Sequence, residues 1–279
     1  MRMPSTTVLL LNGAAALIAV ASVVTMGRSL IGSDAETCQA RYANTIQWSL
    51  RRDDGTLLSA TDLQARLGAT DWGLMERVTV VKADRAGAAL AVDLSGAGTR
   101  TAAGVARAPG AGFEWMPQSA GPVAAACASY ALKLDSTFDF AAGGRLPGLL
   151  GGPSGSDRTA PEAFSVRLGW DSNGALDIVS QIPADGSPRI SNERDKVELP
   201  RGRWITVDQE VILNTPGQSD GIVRVWLDGK LRFESRGIAL RSNDHAAIRG
   251  VLAEVAYARP SVARDTANTV QVTPFEFRW

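Results

Sequence analysis

The stretch from Phe164 to Pro183 restricts the fold more than any other, because apolar and polar residues alternate on both sides of Ser172-Asn173-Gly174. A period of two belongs to a strand with one buried face, not to a helix. Ser-Asn-Gly suits a three-residue hairpin loop, with Gly174 in the left-handed position of a bulge. Closing the loop between Asp171 and Ala175 fixes the register, so that Arg167 stands opposite Val179 and Ser165 opposite Gln181. Phe164, Val166, Leu168, Ile178 and Ile182 then face a core, and Ser165, Arg167, Asp177, Val179 and Gln181 share the other face. A ligand is expected on that second face.

The same alternation runs through most of the chain. Thr45–Leu50, Arg77–Lys82, Ala88–Leu94, Gly112–Met116, Ser129–Leu134, Trp204–Asn214, Ile248–Tyr257 and Val270–Trp279 read as strands. Only Thr61–Leu67, stopped by Gly68, has the start, apolar face and stop of a short helix. In Trp204–Asn214 the pattern turns Ile205, Val207, Gln209, Val211 and Leu213 to one side, so Gln209 is expected to face inward. A second hairpin turns at Asp228-Gly229. Pairing Leu227 with Leu231 keeps Val223, Val225, Leu227, Leu231 and Phe233 on one apolar face, opposite Arg224, Trp226, Arg232 and Glu234. A strict two-residue turn pairing Leu227 with Lys230 scrambles those faces, so the first register is expected. Trp226 then either stacks on a pyranose ring or covers the sheet against Arg232. Trp48, Trp72, Trp115 and Tyr130 are assigned to the core. Together these runs predict an all-β antiparallel sandwich of jelly-roll, concanavalin-like type, forming one domain over 35–279.

Gly143-Gly144-Arg145-Leu146-Pro147-Gly148-Leu149, with Gly151-Gly152, is too glycine-rich for a helix and too apolar for a linker. It reads as a tight crossover between strands that holds Arg145 at the rim of the sheet. No helix follows it, so it is not a phosphate-cradling loop. The loops Pro153–Pro161 and Ala184–Lys196 are expected at the same end of the sandwich.

Lysine plus arginine and aspartate plus glutamate both number 29, which argues against a nucleic-acid partner. Within Ser129–Pro183, Lys133, Arg145, Arg158 and Arg167 are outnumbered by acidic residues. The single histidine, His245, lies in a polar loop, and no metal-ligand cluster, cofactor motif, Ser-His-Asp order or carboxylate pair stands out. Thr7–Met26 is uncharged and long enough to span a bilayer, with Arg2 before it and Arg28 after it. Residues 1–34 therefore read as an N-terminal hydrophobic helix that is either an uncleaved anchor, the favoured reading, or a signal peptide cut near Ala21 or Ala35. Either way the remainder is exported to the periplasm or cell exterior, and membrane contact is through this segment. In an oxidising compartment Cys38 and Cys127, the only two cysteines, are expected to form a disulfide.

Several ordered motifs carry a family resemblance. Phe138-Asp-Phe-(x2)-Gly-Gly-Arg-Leu-Pro-Gly-Leu-x-Gly-Gly152 is followed by Ser165-x-Arg-Leu-x-Trp170, by Arg203-Trp204-(x4)-Gln209-(x4)-Asn214-Thr-Pro-Gly217, and by Asp220-Gly-(x4)-Trp226-x-Asp228-Gly-Lys230. This run resembles polysaccharide lyase family fourteen, the alginate-lyase-type jelly rolls, which cleave uronic-acid polysaccharides by β-elimination. The resemblance implies an acidic polysaccharide partner and a site built from a lysine of the glycine-rich motif, the serine and arginine of Ser-x-Arg, and two tyrosines of the next strand. Here the lysine position carries Arg145, Ser165 and Arg167 match, and the tyrosine positions fall on Val179 and Gln181. The resemblance therefore implies catalytic positions at Arg145, Arg167 and Gln181 with the base unassigned, and a substrate-binding role for Ser165; Lys133, Arg224 and Trp226 are added as substrate-binding candidates from the strand reading. The alternative is a non-catalytic carbohydrate-binding or envelope structural protein on the same fold, because binding requires no base.

Overall fold

The computed structural model describes residues 36–67, 71–98, 104, 106–140, 143–153, 160, 162–181, 197–259 and 268–279. The expected N-terminal helix over Thr7–Met26, both cleavage positions, Ile182 and Ala184–Lys196 lie outside the described residues, as does most of Pro153–Pro161. Among the described residues, no helix is long and apolar enough to cross a membrane.

Among the described residues, alternating side chains produce fourteen strands in two antiparallel sheets. The larger contains β1 (Thr45–Gln47), β2 (Val78–Val81), β3 (Ala89–Asp93), β5 (Ala125–Leu134), β9 (Trp204–Ile212), β10 (Gly221–Leu227), β11 (Lys230–Ile238), β13 (Thr269–Val272) and β14 (Glu276–Arg278). The smaller has the order β4 (Gly110–Trp115), β12 (Ala247–Tyr257), β6 (Gly144–Gly152), β7 (Phe164–Trp170), β8 (Leu176–Gln181). Three short helices are also found among the described residues: α1 (Cys38–Arg41), α2 (Ala60–Leu67), the expected one, and α3 (Leu74–Arg77).

The core lies between the sheets. From β5 it takes Ala126, Ala128, Tyr130, Leu132 and Leu134, and from β7 Phe164, Val166 and Leu168. Trp48 packs there within 5.1 Å of Phe113 and 5.7 Å of Phe275, as ring centroids. Gln209 points inward as expected, and for a specific reason: its Oε1 accepts from the Leu149 amide at 2.9 Å and its Nε2 donates to the Val166 carbonyl at 3.0 Å. One buried amide from β9 thereby ties the two sheets together and satisfies backbone groups of both β6 and β7.

The β7–β8 hairpin has the register that turn chemistry predicts, with Ser165 opposite Gln181 and Arg167 opposite Val179. The Asp171 amide donates to the Ala175 carbonyl at 2.9 Å, the Asp171 carboxylate accepts from the amides of Asn173 and Ala175, and Gly174 has φ 86°.

Two expectations are corrected. Gly144–Gly152 is no crossover: it is β6, paired on both sides inside the smaller sheet. A Cβ on Gly144 would lie 2.0 Å from the Trp170 ring, and one on Gly148 would lie 2.2 Å from the Val166 carbonyl oxygen. The glycines are there for close approach. Pro147 is tolerated because the β6–β7 ladder is irregular between Arg145 and Gly148, where no amide hydrogen is demanded. The second correction is the Asp228-Gly229 turn, which is the strict two-residue kind, with Leu227 opposite Lys230 and φ values of 50° and 76°. A bulge between Val225 and Trp226 absorbs the offset, so Val225 still faces Phe233 and both remain in the core.

Candidate functional site on the smaller sheet

Alternation leaves Arg167 on the outer face of β7, opposite Gly148 of β6, where no side chain blocks its path across the sheet. Beyond β6 lies β12, whose Glu254 stands between Ala253 and Val255 and so faces outward when they face the core. The Arg167 Nη1 donates to Glu254 Oε2, and the Arg145 Nη1 donates to Glu254 Oε1 at 3.3 Å. Arg167 and Glu254 are both 6% exposed, whereas the Arg145 side chain is 37% exposed. Among the described residues, Arg145 uses one of its N–H groups on Glu254 and keeps the others at the surface.

These residues line a groove of about 430 Å³ together with Gln181, Trp72, Arg107 and Tyr257. Among the described residues its charged lining is three arginines against one glutamate, so an excess of positive charge remains there after the internal pairing. The volume lies in the range of small-ligand sites. Trp72 is bonded to β4 through both its amide and its carbonyl at Gly112, and Arg107 lies over its indole with the guanidinium carbon 5.0 Å from the ring centroid. Trp72 therefore belongs to the groove and not to the core. Tyr257 is fully buried, donates to the Asp139 carbonyl at 3.0 Å and accepts from Asn268 Nδ2. Tyr130 is a core residue as expected, its hydroxyl bonded to the Pro147 carbonyl at 2.9 Å and its ionisation pushed up by burial.

Of the residues singled out in sequence, Arg145, Arg167 and Gln181 meet at this groove. Ser165 lies one register step away on β7, buried, with its Oγ unpartnered among the described residues. Val179 and Gln181 occupy the positions opposite Arg167 and Ser165, so no phenol stands on that strand. His245 sits in an exposed loop, its amide donating to Asn243 Oδ1.

Lys133, Arg224 and Trp226 are elsewhere. They lie on the outer face of the larger sheet, because β5 and β10 turn their other faces to the core between the sheets. Arg224 Nη1 donates to Glu210 at 2.6 Å and its Nε to Glu234 at 2.7 Å, within a buried ionic cluster that Tyr42 joins through its hydroxyl at 3.0 Å. Burial, reinforced by Glu210, pushes the Tyr42 phenol well above its ordinary range. Trp226 is fully buried against Leu231, Tyr42 and the Cys38–Cys127 disulfide, so it covers the sheet and presents no platform to a sugar ring. Lys133 pairs across the sheet with Trp204 and Gln271. Beside the disulfide, Asp208 accepts from Ser129 at 2.6 Å and from Gln39 at 2.9 Å, and burial raises its carboxyl pKa. The two sulfurs near it are bonded to each other, which removes them as thiolate ligands.

The polysaccharide lyase 14 family model matches residues 83–258, a span that includes every strand contributing charge to the groove. The chain belongs to polysaccharide lyase family 14. No curated protein is similar in sequence at a significant level. Among solved structures, a family 14 alginate lyase from Aplysia kurodai superposes with a TM-score of 0.67 at 22% identity, covering 84% of this chain and 99% of that one. The alginate lyase vAL-1 from Chlorella virus gives 0.60 at 17% identity, covering 73% and 89%. An endo-β-1,4-glucuronan lyase from the fungus Trichoderma reesei gives 0.51 at 11%, covering 76% and 89%. At these identities the likeness concerns the fold, and the sandwich of this family 14 member is the one its strand pattern predicts. Glu254, Arg107 and Trp72 escaped the sequence reading. The signal for Glu254 was present, since it is a charged residue between two core residues, as Arg167 is.

Proposed function

We propose that the protein is a polysaccharide lyase that cleaves a uronic-acid-containing polysaccharide by β-elimination in the groove of the smaller sheet. The observation that carries this reading is the meeting of Arg145 and Arg167 on that groove, in a chain of polysaccharide lyase family 14. Elimination requires the uronate carboxylate to be neutralised so that the neighbouring C5 proton becomes acidic. A guanidinium does this with paired hydrogen bonds, and Arg145 can hold Glu254 with one N–H while presenting others to the sugar. The C5–H electrons then form the C4=C5 double bond as the C4–O bond breaks, and the leaving oxygen takes up a proton. Of the described groove residues, Glu254 and Tyr257 can exchange a proton, and the Tyr257 hydroxyl is already held by Asp139 and Asn268. Glu254 is therefore the base in this reading. Gln181 orients the sugar by hydrogen bonding.

A second reading, carbohydrate binding without cleavage, is favoured by two observations: Glu254 is tied to both arginines, and Val179 and Gln181 stand where the resemblance implies tyrosines. Ultraviolet absorbance of the unsaturated uronate product, followed over alginate, glucuronan and related polymers, separates the two. A rising signal supports the lyase. Affinity without product selects the binding protein, and neither affinity nor product removes both. The Thr7–Met26 run and the disulfide support a site of action outside the cytoplasm, with membrane attachment if that run is retained. Recovery of the protein in the cytoplasm with both thiols free would overturn that part.

A further inference from the structure

The groove contains a third cation that the elimination chemistry leaves unused. Arg107 precedes β4 and lines the groove beyond the edge of the smaller sheet. Among the described residues it forms no ion pair, in contrast to Arg145 and Arg167, which share Glu254. Its guanidinium is held over Trp72 instead. The indole is itself fixed: the Trp72 amide donates to the Gly112 carbonyl at 2.9 Å and the Gly112 amide to the Trp72 carbonyl at 3.0 Å. Gly112 has no side chain, which lets the ring lie over the strand. A Cβ there would stand 2.6 Å from Trp72 Nε1 and 3.4 Å from Glu254 Cβ. The indole thus lies against Gly112, the residue opposite Glu254 on β12, and Arg107 above it is a further positive charge on the same groove.

We infer that Arg107 and Trp72 form a second subsite, which takes the carboxylate of a further uronate residue along the polymer. Stacking on an aromatic face leaves the in-plane N–H groups of a guanidinium available, and their fork matches a carboxylate. With two separate carboxylate-binding positions, the preferred ligand carries contiguous uronates and not an isolated one in a neutral chain. This inference rests on the proposed function, because it assumes that the Arg145–Arg167 end of the groove receives a uronate.

The test compares wild type, Arg107→Gln and Arg107→Lys by calorimetric titration with two probes: a uronate tetrasaccharide and a neutral oligosaccharide bearing one uronate. Turnover of a uronate polymer by the same proteins is measured in parallel. The subsite requires Arg107→Gln to lose roughly tenfold or more in tetrasaccharide affinity, the scale of one charge-assisted contact. Binding of the single-uronate probe holds, and Arg107→Lys lies between, since it keeps the charge and loses the fork. Equal loss for both probes means that Arg107 serves the same carboxylate as Arg145, which overturns a separate subsite. No loss for either probe overturns it too, while continued turnover leaves the proposed function standing. A wild type that binds neither probe removes both.

Discussion

Arg167 and Glu254 are each almost wholly buried, and each supplies the other's counter-charge. Removing one partner strands the other charge in a poorly solvated position. Glu254→Gln is therefore expected to destabilise the fold by about 3–5 kcal/mol in urea denaturation. Arg145→Gln, which breaks the partly exposed arm of the same bridge, should cost under about 1 kcal/mol. Equal midpoints for Glu254→Gln and wild type would show that the pair holds nothing in place. Arg167→Ala accordingly lowers stability as well as ligand affinity, a combination that alternation alone did not foresee. Sequence reading found Arg167 because Val166 and Leu168 had to be buried. The same logic selects Arg224 and Glu210 with equal force, and those lie on the opposite sheet. Alternation shows that a charge faces outward, but it does not show from which sheet. Lys133, Arg224 and Trp226 were therefore grouped with the wrong face, and Glu254 went unnoticed in a strand with no motif around it.

At the scale of elements, what was legible depended on whether local chemistry or a neighbour set the geometry. The β7–β8 register follows from bonds that Asp171 makes with Asn173, Gly174 and Ala175 inside the turn, and it is legible in the sequence. The β10–β11 pairing depends on a bulge two residues from its turn, and no residue type there announces it. The identity of β6 was hidden for a related reason. Its glycines are required by Trp170, Val166 and Phe164, which become its neighbours only once the sheet has formed. Gly148→Ala tests this directly. The added methyl would meet backbone on β7, 2.2 Å from the Val166 oxygen and 2.5 Å from the Arg167 Cα, so neither strand can yield by a side-chain rotation. A loss of roughly 1–3 kcal/mol is expected, together with weaker ligand binding as Arg167 is pushed aside. A change within about 0.5 kcal/mol, typical of indifferent surface sites, would contradict the packing described.

For the whole molecule, the sandwich class was legible because it requires only strands of period two, whereas the strand order was not. The disulfide was anticipated from compartment, and the structure adds what it fastens: α1 and Tyr42 are held over the ionic cluster of the larger sheet. Its cysteines are 89 residues apart, for which loop-closure entropy gives about 4 kcal/mol of stabilisation. Cys38→Ser with Cys127→Ser should lower the melting temperature by roughly 8–16 °C for a domain of this size. Under reducing conditions wild type and variant should converge. A gap that persists in reductant would assign the loss to packing around Trp226 instead.

The place of β5 in the larger sheet has a consequence for how the protein is made. One edge of β5 is paired along its length by β9, and the other is shared by β13 and β14, with Thr273 bonding Ala131 between them. All three partner strands are encoded far downstream. At ordinary synthesis rates the ribosome needs on the order of ten seconds to travel from β5 to β14. Throughout that interval a long, apolar strand has an open hydrogen-bonding edge, the situation in which chains pair with one another. A chain halted before residue 269 would keep that edge open permanently and is expected to aggregate.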